Sequence, residues 1–533
     1  MNYSALNIGK TSLLKKVYNK YKKGNVFQEV IWITVSKKYD ILELQSVIGN
    51  TINLKLASTS HAESSSAAQM KLSPCLKEVK FLLFLDDMWT PFLQEESNDM
   101  WSRSIWEEKV GIPFGRSKGS KVVISSRSID VIQRMGTNAR YYMPLQLLFS
   151  EEGWQLFCRV AFKSGSPPSD SIKDVARKFA TECKGFPLAI NVVAAAMACN
   201  HSVIEWTLAL LQRKTLDSVL RSLTTNGIDE LDLCEQIKWS YDHLPDSTSK
   251  NCFLYCAAFP EDEEIDVETL LEMWIGEGLF QMGKPSYLMD IGRRYVNLLV
   301  DRYLFEIVDR ADMKYIKVHH VVRDMAILIG ENEENCLFKT TQCLQKFPAN
   351  EKVEHCKRIA VSFSNIRTLP QNFNCSELLA LILRRNKSLS EVPRDFFLNL
   401  HSLRVLDLSN TKIESLPSSM WDLGQLQFLK MSNTLIKDLR GVHNLSPLQF
   451  LHLDSCRELQ ELSSEIRGLQ DLKHLNLDAC LKLRKIPHGI SELKSLVKLQ
   501  MITGASAALN VTDLVIVGAQ NENACSFEGL KSF

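Results

Sequence analysis

Leu403-Arg404-Val405-Leu406-Asp407-Leu408 opens a unit that this chain uses again and again. Its Leu-x-x-Leu-x-Leu frame returns at Leu426-Leu429-Met431, Leu448-Leu451-Leu453, Leu472-Leu475-Leu477 and Leu496-Leu499-Met501. Upstream it stands at Leu378-Leu381-Leu383 and, more weakly, at Cys356-Ile359-Val361. Successive starts lie 22 to 25 residues apart. The second half of the unit repeats too, Ile366-Leu369-Pro370 matching Ile413-Leu416-Pro417. Amphipathic helices do not account for this, because the Leu-x-Leu step has period two while the whole unit recurs at a fixed length.

That length is the leucine-rich-repeat range, and the pattern predicts a stacked solenoid over 356–510 with a tail over 511–533. Each unit gives one short strand to a shared parallel sheet, with its leucines stacked inward. The intervening Phe428, Lys430, Phe450, His452, His474 and Asn476 are expected on the exposed, concave side. Phe428, Phe450, His452 and His474 then read as a partner surface. Asn386 fills the usual asparagine-ladder position, where later units have Thr411, Thr434, Cys456, Cys480 and Gly504. Beyond 505 a short VTDLVIVG strand is expected before the polar tail.

The first third has a different grammar. Val30–Val35, Phe81–Leu85 and Lys121–Ser125 are short apolar runs, as strands buried on both faces of a parallel sheet require. Helical patterns over Ser12–Lys22 and Ile41–Leu54 alternate with them, which predicts an α/β domain over 1–145. His61–Ser73, rich in Ser and Ala, reads as a loop. Thr90–Lys109 reads as an irregular acidic insertion near Trp89, Trp101 and Trp106. A helical bundle follows over 146–228, then a winged-helix-like module over 229–340 with a strand at Lys314–Val318 and a helix at Val321–Ile329. The fold class is therefore multidomain: α/β, helical bundle, winged-helix-like module and repeat solenoid.

Three elements carry chemistry. Gly9-Lys10-Thr11-Ser12 opens a helix, where backbone N–H groups, a lysine and a hydroxyl suit phosphate and magnesium. The full phosphate loop wants a glycine where Ser4 stands, and the tripeptide alone is common. Phe81–Leu85 ends in Asp86-Asp87, paired carboxylates suited to a metal and a polarised water, or simply a buried strand with a polar end. The strand from Lys121 ends at Arg127, a candidate γ-phosphate sensor or a solvated arginine.

In this order and spacing, these elements resemble the nucleotide-binding (NB-ARC), leucine-rich-repeat family of plant intracellular disease-resistance receptors. The marks are GKTSLL, FLLFLDDMW, GSKVVISSRS, CKGFPLAI, CFLYCAAFPEDEEI and VHHVVRDMA. Trp89 after the paired aspartates resembles the coiled-coil subclass. The resemblance implies a P-loop NTPase switch that holds ADP when off and ATP when active, with Mg2+. Lys10 and Thr11 would bind phosphate and magnesium, Gly9 and Ser12 would complete the loop, and Asp86 would hold the metal. Asp87 would assist slow hydrolysis, and Arg127 would sense the γ-phosphate. Pro187 would pack on the nucleotide, and His319 would touch the ADP β-phosphate. The family has Met-His-Asp where this chain has Val318-His319-His320, so the aspartate that helps secure the off state is absent; a tolerated surface histidine is the equal alternative for His320. The resemblance also implies that an N-terminal signalling domain is missing. Partners would be a pathogen effector or guarded host protein at the repeats, and a homo- or hetero-oligomer through the nucleotide domain.

Composition bounds the alternatives. The 533 residues carry 63 Lys and Arg against 62 Asp and Glu, so there is no basic footprint for nucleic acid. The 14 cysteines form no CxxC pair, which points to a reducing, cytoplasmic setting. Leu188 to Cys199 is too short to span a bilayer. No acid/base set outside the phosphate site supports a metabolic enzyme. The remaining rival is a nucleotide-dead repeat scaffold or decoy derived from such a receptor.

Overall fold

A computed structural model describes residues 9–35, 41–54, 64–90, 106–113, 119–135, 139–162, 169–198, 202–220, 228–261, 263–280, 287–310, 313–340, 344–348, 353–483, 486–501 and 516–517. They fall into two compact units, 1–240 and 241–533.

In the first unit, helix α1 (Lys10–Lys22), strand β1 (Glu29–Thr34), helices α2 (Ile41–Thr51) and α3 (Ser64–Glu78), strands β2 (Phe81–Met88) and β3 (Lys121–Ser126) and helix α4 (Ile129–Arg134) follow in order. The strands pair in parallel as β1-β2-β3. Central β2 is buried from Phe81 to Asp86, which is why its sequence is continuously apolar rather than alternating. Tyr18 of α1 sits edge-on to Trp32 and Phe84, which stack on each other at 5.6 Å.

The loop expected over His61–Ser73 is instead the start of α3, with 61–63 outside the described residues. Ala68, Leu72 and Leu76 are buried one turn apart, so the helix packs through a narrow stripe that Ser and Ala hide in sequence. Its side chains also bond the next segment: Gln69 Nε2 donates to Glu107 O at 2.9 Å, and Ser73 Oγ to Glu107 Oε1 at 3.2 Å. Of the expected insertion, 91–105 lie outside the described residues. Its end is a π-helical turn, Trp106–Val110, whose Trp106 is core.

Helices α5 (Ser150–Ala161), α6 (Asp170–Glu182), α7 (Pro187–Met197), α8 (Val203–Leu220) and α9 (Ile228–Asp242) continue the chain. Trp206, fully buried, is the hub, with ring centroids 5.7 to 6.3 Å from Phe157, Phe162 and Phe179. The bundle has an aromatic core.

In the second unit come α10 (Ser247–Leu254), β4 (Ile265–Asp266), α11 (Val267–Glu277), α12 (Leu288–Asp301), β5 (Glu306–Arg310), β6 (Met313–Lys317) and α13 (His320–Glu333). The antiparallel order β4-β6-β5 with flanking helices is the winged-helix arrangement. The repeat sheet then runs through β7 (Cys336–Lys339), β8 (Arg358–Val361), β9 (Ala380–Ile382), β10 (Val405–Asp407), β11 (Phe428–Lys430), β12 (Phe450–His452), β13 (His474–Asn476), β14 (Lys498–Gln500) and β15 (Ile516–Val517). It starts one strand before the repeats are legible, since β7 pairs in parallel with β8. Only Ile516–Val517 of the expected terminal strand are described, antiparallel to β14.

The ladder residues bond along the stack. Asn386 Nδ2 donates to Val361 O and Leu383 O, both at 2.8 Å, and its Oδ1 accepts from Ser364 N at 2.9 Å. Thr434 Oγ1 donates to Met431 O at 2.9 Å, Cys456 Sγ to Met431 O at 3.0 Å and Cys480 Sγ to Leu453 O at 3.1 Å. Burial pushes both thiols up, Cys480 to about 12, so they are structural donors rather than nucleophiles. Gly504 lies outside the described residues.

The expectation of an open concave face fails at its centre. Phe428, Phe450, His452 and His474 are 0%, 4%, 3% and 4% exposed: α11 lies over Phe428, His452 and His474, and Phe450 sits beside Phe428 with ring centres 6.4 Å apart. Thr269, Glu272 and Gly276, three and four residues apart, form the helix face that does this. Lys430 Nζ reaches Thr269 Oγ1 at 3.5 Å. A Cβ on Gly276 would stand 2.8 Å from Phe428 Cβ, so glycine sets how closely the helix approaches. At the end of α11, Gly278 takes φ 85°, and Arg404 Nη1 donates to Glu277 O at 2.9 Å. The Glu277 carboxylate receives Arg358 Nε at 2.9 and 3.0 Å and also the Tyr255 hydroxyl. Period-two alternation says which residues leave the repeat core, and says nothing of what then covers them.

Candidate functional site

Gly9 precedes α1 with φ 86°, a left-handed turn that glycine adopts without strain. The turn aims the first N–H groups of α1, where Lys10, Thr11 and Ser12 stand, out of the helix end. No acidic side chain occupies that first turn and no side chain caps it. Ser4, where a phosphate loop has glycine, lies outside the described residues.

The strand ends supply the rest. Between Leu85 and Met88 the β2–β3 register shifts, and Asp87 takes φ 60°, uncommon for an L-residue. This irregularity turns two successive carboxylates toward one end of the sheet. Asp86, 1% exposed, accepts from two hydroxyls: Thr11 Oγ1 on Oδ2 at 2.8 Å and Ser125 Oγ on Oδ1 at 2.6 Å. Ser125 Oγ in turn accepts the Asp87 N–H at 2.8 Å, so one β3 hydroxyl braces both aspartates.

Arg127 does not stand open as a lone sensor. Its Nε and Nη2 donate to Asp87 Oδ1 and Oδ2 at 3.2 and 2.7 Å, a two-pronged ion pair, and its guanidinium lies 3.9 Å from the Trp89 ring centre. Burial pulls the Lys10 ammonium below the usual lysine value. Asp87 opposes that pull, Arg127 adds to it, and Asp86 opposes it more weakly.

Thus Lys10, Thr11, Asp86, Asp87 and Arg127 share one corner of the first unit. Thr11 Oγ1 beside Asp86 Oδ2 is a pair of hard oxygen donors, the chemistry that Mg2+ takes. Pro187 stands at the first turn of α7 after Gly185, whose φ is 78° and where a Cβ would lie 2.4 Å from Leu148 O. His319 belongs to the second unit. Its Nδ1 accepts the Val321 N–H at 3.2 Å and caps α13, which leaves a neutral ring its proton on Nε2. The His320 ring centre lies 4.2 Å away. Sequence reasoning missed Ser125 and the stacking role of Trp89. Hydroxyls in the run Ser125-Ser126 beside a strand-end arginine were the available signal for the first.

Three family descriptions match the chain: the NB-ARC domain over residues 7–166, the disease resistance protein winged helix domain over 258–326 and the leucine rich repeat over 376–436. Among curated relatives from Arabidopsis thaliana, disease resistance protein RFL1 is 31% identical over 471 residues, covering 86% of this chain and 50% of the relative. Disease resistance protein RPS5 is 32% identical over the same length and coverage. Disease resistance protein SUMM2 is 33% identical over 445 residues, covering 82% of this chain and 47% of that one. The chain therefore spans about half the length of the curated relatives it matches. Among solved structures, the leucine-rich repeat domain of the type III effector XopL shares 22% identity over 30% of this chain and 65% of that one, at a TM-score of 0.26, too low to bear on the assignment. No helix among the described residues is long and apolar enough to cross a membrane. With all three descriptions matched in this order, the chain carries the NB-ARC, winged-helix and leucine-rich-repeat domains of disease resistance proteins.

Proposed function

We propose that this chain is the nucleotide-switched and repeat-bearing part of an immune receptor acting in the cytoplasm in plant defence. It holds ADP at rest and ATP when active. The single observation that carries the reading is the meeting of Thr11 with Asp86 across 75 residues, 2.8 Å apart beside Lys10. Phosphate would lie on the α1 N-terminus, with Lys10 as its cation. Thr11 and Asp86 would hold Mg2+, which when bound neutralises phosphate charge. Asp87 would orient water for slow hydrolysis. Arg127 would leave Asp87 for a γ-phosphate, so ATP and ADP would differ in whether that ion pair survives. Pro187 would pack on the nucleotide. Recognition of an effector or guarded host protein falls to repeat surface outside the part covered by α11, and self-association to the nucleotide domain.

Calorimetry with Mg-ADP and Mg-ATP on the full chain tests this. Wild type should bind and Lys10→Ala should not. Asp86→Ala should remove the magnesium dependence, while Asp87→Ala should keep binding and slow hydrolysis. Equal binding by wild type and Lys10→Ala would remove the phosphate-site assignment and leave the repeat scaffold as the better reading.

A further inference from the structure

The seam between α11 and the repeat sheet holds a second polar centre that the nucleotide chemistry does not use. Glu272, on the covered face of α11, meets imidazoles from two adjacent strands. His452 Nε2 lies 2.6 Å from its Oε2, and His474 Nδ1 lies 2.6 Å from its Oε1. The three donor atoms lie within 4.8 Å of one another, and all three residues are buried. The Phe428 ring packs on one side of the centre, and Lys430, opposite His452 in the sheet register, is its cationic neighbour. The Phe428 ring lies 5.5 Å from His452, which lies 4.8 Å from His474, edge to face.

His474 is the telling member. Its other nitrogen, Nε2, stands 2.7 Å from Gln500 Oε1. Two oxygen acceptors therefore face one ring, one at each nitrogen, and a neutral imidazole has a single N–H. If Nε2–H goes to Gln500, Nδ1 directs a lone pair at a carboxylate oxygen, in a place water does not reach. That arrangement is met by a proton or by a metal cation between the two atoms. An acceptor on the far nitrogen is also the usual support of a metal-ligating histidine, because it fixes the tautomer and turns the other lone pair toward the ion.

We propose that Glu272, His452 Nε2 and His474 Nδ1 form a binding site for a zinc-class divalent cation, with Gln500 as the positioning residue behind His474. Two imidazoles and one carboxylate are a zinc donor set. Imidazole favours zinc, copper or nickel over magnesium and calcium, so this site and the phosphate site select different ions. The ligands come from α11, β12 and β13, so the cation staples the winged-helix module to the middle of the repeat sheet.

The test uses the full chain, stripped with chelator and titrated with zinc chloride alone. We expect one equivalent of zinc to be retained and to raise the melting temperature. Glu272→Gln and His474→Gln should each lose that rise and bind at least tenfold more weakly. Gln500→Leu, which removes no ligand, should weaken binding by about tenfold to a hundredfold and keeps the test available if a ligand variant fails to fold. The 14 cysteines are the competing ligands. Cobalt(II) should therefore give d–d absorption without a thiolate charge-transfer band, and the ligand variants should lose that d–d absorption. Failure of the wild type to retain zinc, affinity unchanged in Glu272→Gln and Gln500→Leu, or a thiolate band overturns the proposal. Nucleotide binding does not enter any of these readouts.

Discussion

Asp86 and Glu272 are built alike and differ in one respect that decides what each can do. Each is a buried carboxylate with both oxygens engaged, Asp86 by the hydroxyls of Thr11 and Ser125, Glu272 by the imidazoles of His452 and His474. A hydroxyl both donates and accepts, so Thr11 can turn its hydrogen away and offer a lone pair to an arriving cation at little cost. An imidazole nitrogen that donates to the carboxylate must first give up its proton, or move it to the other ring nitrogen, to do the same. The strand-end site is thus suited to ions that come and go with a nucleotide. The seam is suited to a lasting connection. The same difference separates the charged neighbours: the Asp87–Arg127 pair keeps 16% and 15% of its side-chain surface, whereas Glu277 and Arg358 keep 1% and 7%.

The largest expected effect tests the buried side of that contrast. Glu277→Ala removes the counter-charge of the buried Arg358 guanidinium and the acceptor of the Tyr255 hydroxyl, and should destabilise the second unit by about 3–5 kcal/mol in denaturant unfolding. A loss below 1 kcal/mol would mean that the Arg358 site admits water. Next is Gly276→Val, which drives side-chain atoms into Phe428 and should cost about 1–3 kcal/mol by overpacking. It should also expose the sheet face to a probe such as ANS, whereas an unchanged probe signal would mean that α11 has room to spare. Ser125→Ala comes third. It leaves the Asp87 N–H and one Asp86 oxygen without their bond and should cost about 1–3 kcal/mol in the first unit. It should weaken magnesium-dependent nucleotide binding as well, and unchanged binding would show that Asp86 needs no brace. The smallest is Arg127→Lys, which loses the two-pronged geometry of a partly exposed pair. Stability should change by about 1 kcal/mol or less, while the preference between ATP and ADP should shift. No shift would remove Arg127 as the residue that tells them apart.

The two regions were not equally legible in the sequence. The corner around Asp86 is assembled from strand ends that announce themselves: an apolar run stops at Asp86-Asp87, another stops at Ser125-Ser126-Arg127, and parallel pairing puts those ends side by side. What stayed hidden was the Asp87–Arg127 pairing, because a strand-end arginine carries no mark of its partner. The leucine frame likewise showed the solenoid core, since each inward position repeats at fixed length. The seam could not be read. Glu272 lies 180 residues from His452 and 202 from His474, on a helix whose run Leu270-Leu271-Glu272-Met273-Trp274-Ile275 signals burial all round without naming what covers it. His452 and His474 looked solvent-facing because alternation alone put them outside the repeat core. Helix α3 was hidden differently: its stripe of Ala68, Leu72 and Leu76 is set among Ser and Ala residues and Pro74, a residue that ordinarily argues against a helix.

The most direct test of the central claim, that α11 closes the middle of the repeat sheet while the phosphate corner stays accessible, is amide hydrogen exchange on the full chain with and without Mg-ADP. Slow exchange is expected in Thr269–Glu277 and in β11, β12 and β13 under both conditions, with ADP-dependent protection concentrated at Lys10–Leu13 and around Asp87 and Ser125. Rapid exchange in Thr269–Glu277 without nucleotide, or no ADP-dependent change at Lys10–Leu13, would contradict it.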